Sequence, residues 1–214
     1  MTPLPIILSS PSGGGKTTIA KRLLQVRDDV GYSVSCTTRP PREGEVEGHD
    51  YFFRTRSDFE RGQEMGEFAE SAEVHGHLYG TLRREVERVL RSGRHVVMDI
   101  DVQGAKQFKA AFPESVLIFI LPPSAQVLIQ RLEARRTEDT ESLIRRLRSA
   151  KRELKAIDLY PYLVVNSEVD SAVAAVSDII DGKGVETSRD SLERKVDELV
   201  VGIERAIDIY SKRK

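Results

Sequence analysis

Lys16 follows three glycines and precedes two threonines in the stretch SSPSGGGKTT, Ser9–Thr18. A glycine-rich backbone can turn successive N–H groups toward one point, and such a point attracts an anion. Gly15-Lys16-Thr17 fits the end of the pattern G-x-x-x-x-G-K-[ST]. Gly13 lies inside the loop, and Ser10 stands where the pattern has its first glycine. An apolar run precedes the loop and a helical pattern follows it, which sets the phosphates at a helix N-terminus. In this arrangement Lys16 reaches the β- and γ-phosphates and the Thr17 hydroxyl binds Mg²⁺.

A second constellation lies in SVSCTTRPPREGEVEGHDYFF. Arg39 and Arg42 flank two prolines that hold the chain extended and spread the guanidiniums. With Tyr51 nearby, they make a cage suited to a phosphate monoester. Asp101-Val102-Gln103-Gly104 matches the D-x-x-G of regulatory GTPases, but no N-K-x-D, their base-reading element, occurs in the chain. His49, His75, His77 and His95 have no metal-ligand spacing with cysteine, and Cys36 reads as a small packed side chain.

The elements that must position these residues alternate. Leu4–Leu8, His95–Ile100, Val116–Leu121 and Leu163–Val165 read as short buried strands. Helical periodicity marks Lys16–Val26, Leu82–Leu90, Ala105–Phe112, Ala125–Arg135 and Val169–Ile180. This alternation predicts a parallel sheet covered on both faces. Around residues 35–80 the pieces YFF and EFAESAEV predict an antiparallel excursion, with a small helix from Ser57, where Ser57-Asp58-Phe59-Glu60 has capping-box spacing. Arg131–Arg152 predicts a basic helical stretch, ordinarily a solvated face, though beside a phosphate loop it invites anion contact.

Composition bounds the possibilities. The 214 residues can build one sizeable core with insertions, and the net charge of −1 implies no general attraction to nucleic acid or an acidic membrane. One cysteine leaves no intramolecular disulfide. The N-terminus lacks the basic region of a signal peptide, and no apolar run approaches the ~20 residues of a membrane span, so a cytoplasmic location is expected.

Taken together, PSGGGKTT, SVSCTTRPPREGE, HDYFF, EFAESAEVHGHLYGT, VVMDIDVQGAKQ, LIFILPPS and the late VVN resemble the guanylate kinase family of the short bacterial type, from Leu4 to about Ile180. The resemblance implies an α/β P-loop kinase with a parallel-sheet core, an inserted small antiparallel GMP-binding domain and a helical lid. It implies a core at 1–34, 88–128 and 154–182, a GMP-binding insertion at 35–87, a lid at 129–153 and a C-terminal helix at 183–214. The implied activity is transfer of the γ-phosphate of ATP to GMP, and to dGMP, with Mg²⁺, without nucleic-acid or membrane partners. On this resemblance Ser12, Gly13, Gly14, Gly15, Lys16, Thr17, Thr18 and Asn166 bind ATP. Arg39, Arg42, Tyr51 and Tyr79 hold the GMP phosphate, and Ser35, Glu70, Thr81 and Asp101 contact guanine. Lys16, Asp99 and the lid arginines Arg135 and Arg146 serve catalysis. Ala134 and Arg136 stand where the family has glycines beside the first lid arginine, which leaves Arg135 and Arg136 as alternatives for that role.

The chemistry fits these choices. Guanine presents two adjacent donors that one carboxylate, Glu70, can accept, whereas adenine would set a lone pair against it. Ser35 or Thr81 can donate to guanine O6. A non-catalytic module of the same family is disfavoured by the intact Lys16-Thr17, and a sugar-phosphate kinase would not need Glu70. Beyond DGKG, Leu192, Val196, Leu199, Ile203, Ala206 and Tyr210 form one helical stripe, with Thr187 and Ser188 as caps. It is expected to pack on its own chain, the alternative being a homo-dimer contact, so monomer and homo-dimer both stay open.

Overall fold

The computed structural model describes residues 2–74, 76–134 and 140–212, and leaves the side chains of residues 189 and 192 undescribed. In chain order the elements are β1 (Pro5–Ser9), α1 (Lys16–Val26), β2 (Val30–Tyr32), β3 (Ser35–Thr37), β4 (Phe52–Phe53) and α2 (Arg56–Glu64). There follow β5 (Phe68–Val74), β6 (His77–Leu82), α3 (Arg83–Arg91), β7 (His95–Asp99), α4 (Val102–Ala111), β8 (Val116–Leu121) and α5 (Ala125–Glu133). The chain ends with α6 (Thr140–Leu154), a 3₁₀ turn, β9 (Tyr162–Val165), α7 (Val169–Ile180) and α8 (Arg189–Ser211). The fold is α/β, with parallel strand pairs and a separate small mixed sheet.

Two compact units share the chain. The first runs through Ile7 and resumes over Leu24–Val116; the second takes Leu8–Leu23 and everything from Leu117. In the first, β7 lies between β2 and β1, and β2 pairs with β7 in parallel. Ile6, Ile7, Val96 and Val97 are fully buried, as the near-continuous apolar runs of a two-face-covered parallel sheet require. The same unit holds the small sheet in the order β4-β3-β6-β5. Its core is Cys36, Phe59, Phe68, Leu78 and Leu82, with Phe59 and Phe68 stacked at 4.2 Å.

This sheet corrects one expectation. β3–β6 and β5–β6 are antiparallel, but β4 runs parallel to β3. The segment between them, residues 38–51, is long enough to carry the chain back before it pairs again, which a two-residue hairpin cannot do. Helix α2 also starts earlier than predicted: Thr55, not Ser57, is its N-cap, and its hydroxyl accepts from Asp58 N. Aspartate thus occupies the third position of the cap, where it also favours the positive end of the helix dipole.

In the second unit the end of β1, β8 and β9 lie side by side, and β8 pairs with β9 in parallel. Leu117–Leu121 is buried along its whole length. Helix α8 packs on α5 and α6 through Leu199, Ile203 and Ala206, all buried, as the apolar stripe predicts. Gly202 sits where α8 passes α5: a Cβ there would lie 2.4 Å from that of Ala125. The expected caps behave differently. Ser188 occupies the N-cap position without a side-chain hydrogen bond, and the Thr187 hydroxyl instead accepts from Leu163 N at 3.2 Å.

Ile203 is fully buried. Ile203→Ala is expected to cost ~2–5 kcal/mol, the range for emptying such a core position, as a lower urea midpoint with unchanged slope. A cost below ~1 kcal/mol would show that α8 does not depend on this contact.

Candidate functional site

Strand periodicity builds the first site. On β6, Leu78 and Leu82 face the small core, so Tyr79 and Thr81 face the opposite side. Register carries that side across the sheet: Ser35 and Glu70 both pair with Thr81, and Thr37 and Ala72 both pair with Tyr79. A register shift between Phe68 and Glu70 matters here. Phe68 pairs with Leu82 and Glu70 with the next residue, Thr81, so Ala69 is extra. The bulge lets Phe68 enter the core while Glu70 turns to the other face.

That face, with the ends of β2 and β7, lines a cleft of about 200 Å³ formed by Tyr32, Ser33, Ser35, Tyr51, Glu70, Tyr79, Thr81, Asp99 and Asp101, among others. Thr81 Oγ1 donates to Glu70 Oε1 at 2.6 Å. A hydroxyl has one hydrogen, so Thr81 serves here to hold Glu70 and is not free to donate elsewhere. Burial pushes the Glu70 carboxyl up to about 7; the Thr81 hydrogen bond works against this and the Asp101 charge adds to it. Asp101 is the N-cap of α4 and accepts from Gly104 N at 2.7 Å. At the end of β7, Asp99 accepts from the Tyr32 hydroxyl at 3.3 Å, and burial, then Asp99, raises the Tyr32 pKa.

Of the arginine cage, the structure brings together Arg39, Tyr51 and Tyr79. The Arg39 guanidinium lies 5.5 Å from the Tyr51 ring centre, and the two tyrosine rings meet edge to face at 6.2 Å. Arg39 Nη2 also donates to both oxygens of Glu45, at 2.7 and 2.9 Å. Arg42 gives its main-chain N–H to the same carboxylate and leaves its side chain exposed. Glu45, Tyr32 and Ser33 carry no mark in the sequence that singles them out. Ser33 is 1% exposed and its Oγ has no hydrogen-bond partner among the described residues. Its one signal, the position just past a parallel strand, is hidden because β2 is only three residues long.

The second site is the glycine loop, in the other unit. Gly14 N donates to Pro11 O at 2.8 Å, and Gly13 and Gly15 have φ of +86° and +97°. Side chains have no room here: a Cβ on Gly15 would lie 2.3 Å from Asn166 Nδ2, and one on Gly14 would lie 2.7 Å from Ser10 Cβ. Lys16 opens α1, half-buried; Thr17 and Thr18 are exposed. Asn166 is 2% exposed, donates from Nδ2 to Gly14 O at 2.9 Å, and accepts from Arg131 Nη2 on its own main-chain oxygen. It therefore braces the loop. Arg131 Nη1 and Asn166 Oδ1 are buried without partners among the described residues, and Arg131 Nη1 lies 4.0 Å from the Gly15 Cβ position.

Helix α6 divides its arginines. Arg145, Arg148 and Arg152 are exposed, the solvated face expected of a charge run. Arg146 turns to the loop and donates to Ser12 Oγ from Nε and Nη2 at 3.3 and 3.2 Å. Arg135, named as a lid arginine, and its alternative Arg136 lie outside the described residues.

Strand, glycine loop, Lys-Thr and helix in one unit, and an acid-lined aromatic cleft in the other, define a P-loop α/β kinase that acts on small phosphorylated substrates. The guanylate kinase family model matches residues 2–183. The guanylate kinase of Nitrosomonas europaea is 42% identical over 189 residues, covering 88% of this chain and 94% of that protein. That of Thermotoga maritima is 45% identical over 190 residues, covering 88% and 92%. The crystal structure of guanylate kinase from Anaplasma phagocytophilum superposes with a TM-score of 0.67 at 34% identity, over 87% of this chain and 88% of that one. The chain belongs to the guanylate kinase family, a family of nucleoside monophosphate kinases.

Glu70 makes stability depend on pH. Burial pushes the folded carboxyl up to about 7, against an ordinary value of 4.5. Relative to Glu70→Gln, the wild type is therefore expected to be most stable below pH 4.5 and to lose stability as pH rises toward 7. The loss amounts to at most ~3–4 kcal/mol, because each tenfold difference in proton affinity between the folded and unfolded chain is worth ~1.4 kcal/mol. Denaturant midpoints of both proteins between about pH 4 and 8 read the difference; parallel curves would contradict it.

Proposed function

We propose that the chain transfers the γ-phosphoryl group of ATP to the phosphate of GMP, giving ADP and GDP. The observation that carries this reading is the Glu70 carboxylate, fixed by Thr81 on the face of the small sheet that lines the cleft. Guanine's N1–H and 2-amino donors satisfy it. Adenine leaves it facing a lone pair, and a buried polar group so unpaired costs ~1–3 kcal/mol. With Thr81 engaged, Ser35 is the hydroxyl that donates to O6, and Asp101 completes the acidic end of the cleft. Arg39, Arg42, Tyr51 and Tyr79 receive the phosphate dianion, which replaces Glu45 as the partner of Arg39. None of these contacts reads a ribose 2′-hydroxyl, so dGMP is a second acceptor.

The loop N–H groups of Gly13–Thr18 and Lys16 take the ATP phosphates, and the orphaned Arg131 Nη1 supplies a further donor. Residues 129–153 act as the lid, whose Arg135 and Arg146 cover the donor phosphates. Among the described residues no three His, Cys, Asp or Glu side chains converge on a metal position. That suits Mg²⁺, which keeps its waters and phosphate ligands and asks little of the protein; the Thr17 hydroxyl would hold it. When bound it neutralises charge on the β- and γ-phosphates. The attacking oxygen of GMP is already anionic, so no general base is needed, and the arginines lower the repulsion between two anionic substrates. Asp99 is the acidic residue we assign to the transfer step. Among the described residues no helix is long and apolar enough to cross a membrane, and we assign the reaction to the cytoplasm.

Product formation from ATP with GMP, dGMP or AMP tests the reading. Lys16→Ala is expected to lower kcat about a hundredfold or more, the scale of losing one preorganised donor, with little change in KM for GMP. Glu70→Gln is expected to lower kcat/KM for GMP about thirtyfold, equivalent to ~2 kcal/mol. An unchanged preference for GMP over AMP in that variant removes Glu70 from the base site.

A further inference from the structure

Ser12 is gripped twice by one helix face. Arg146, Ser149 and Glu153 are spaced three and four apart on α6 and so share a side of it. Arg146 donates to the Ser12 hydroxyl. Glu153 Oε2 accepts the Ser12 main-chain N–H at 2.9 Å, and Glu153 Oε1 accepts from the Ser149 hydroxyl at 3.1 Å, so both carboxylate oxygens are engaged. Glu153 is half-buried. A carboxylate beside an anion cradle is an unexpected neighbour, since by charge alone it opposes a triphosphate. A purely electrostatic design would omit it. Its hydrogen bonds explain its presence: the Ser12 N–H must be satisfied, and a charged acceptor makes a stronger bond than water or a neutral group.

We propose that Glu153 is a positioning residue for phosphate transfer, anchoring the start of the phosphate loop to α6 through the Ser12 N–H. The proposal rests on the reading of the loop as the ATP site. Pro11 and Ser12 lead into Gly13–Gly15, whose main-chain N–H groups must point at one spot. Two of these glycines have positive φ, conformations that a loosened entry would allow to wander. Glu153 fixes that entry. It leaves the Arg146 guanidinium, which donates to the Ser12 hydroxyl, able to exchange Ser12 for a phosphate oxygen without the loop losing its hold on the helix. Asn166 performs the matching task at the other end, through Gly14 O.

The positioning role and the charge role predict opposite signs, and Mg-ATP binding measured by calorimetry without GMP separates them. Glu153→Ala is expected to weaken ATP binding about tenfold and raise KM for ATP alike, with KM for GMP within about twofold. Glu153→Gln keeps an oxygen for Ser12 N, with Ser149 turning from donor to acceptor, and is expected to recover most of the affinity. Ser149→Ala, which loosens Glu153 without removing it, is expected to show the same pattern at about threefold; it decides the matter if Glu153→Ala does not fold. Unchanged or tighter ATP binding in the alanine variants would overturn the proposal, as would a glutamine variant as weak as alanine. Wild-type protein that binds ATP yet makes no GDP would instead refute the assigned reaction and leave this test standing.

Discussion

Main-chain N–H groups can surround a phosphate only where no side chain intrudes, and much of the second unit is arranged around that exclusion. Gly13, Gly14 and Gly15 face Leu132, Ser10 and Asn166 so closely that a carbon added at any of them would force a neighbour to shift. A bare loop of this kind has little stiffness of its own, because glycine has the most backbone freedom to lose. The surrounding groups supply the stiffness: Asn166 holds Gly14 O, Arg131 holds Asn166, and α6 holds Ser12. The buried donor of Arg131 that these contacts leave over is the kind of unsatisfied group that a ligand is suited to complete.

The first unit solves a different problem, that of keeping a carboxylate half-buried and correctly aimed. One extra residue, Ala69, turns Glu70 away from the aromatic core that Phe68 joins. Thr81 then restricts the carboxylate to one orientation. Desolvation raises its proton affinity, and a ligand bringing two N–H donors would lower it again. On the proposed reading of this cleft, binding and proton release are linked at one group.

How much of this is legible in the chain depends on length and on period. Lys16–Val26, Val116–Leu121 and Val169–Ile180 are legible to the residue, because each has a clear apolar pattern and clear stops. β2 and β3, three residues each, are too short to show any period. The parallel course of β4 leaves no trace, since direction depends on a long connection and not on the two phenylalanines of the strand. Site residues are recognisable by type, and their partners much less so. Glu70 and Thr81 stand out as candidates, but that one holds the other depends on a register that the bulge sets. Asn166 has the type of a ligand contact and is engaged with the loop itself, across 152 residues of sequence. Arg146 is distinguished from its exposed neighbours only by the turn of the helix.

The second unit is assembled from two segments far apart in sequence, Leu8–Leu23 and the residues from Leu117 onward. During synthesis the glycine loop is therefore made well before the distant segments that brace it. Glu153 follows Ser12 by 141 residues, and Asn166 follows Gly14 by 152. At ordinary ribosomal speed that interval is on the order of ten seconds. Throughout it the nascent chain carries the whole phosphate-loop motif without the long-range contacts that brace it. A polypeptide interrupted before β9 would hold the signature of the phosphate loop without the Asn166 brace on Gly14, so the loop gains its last support only when the strand that precedes Asn166 has been made.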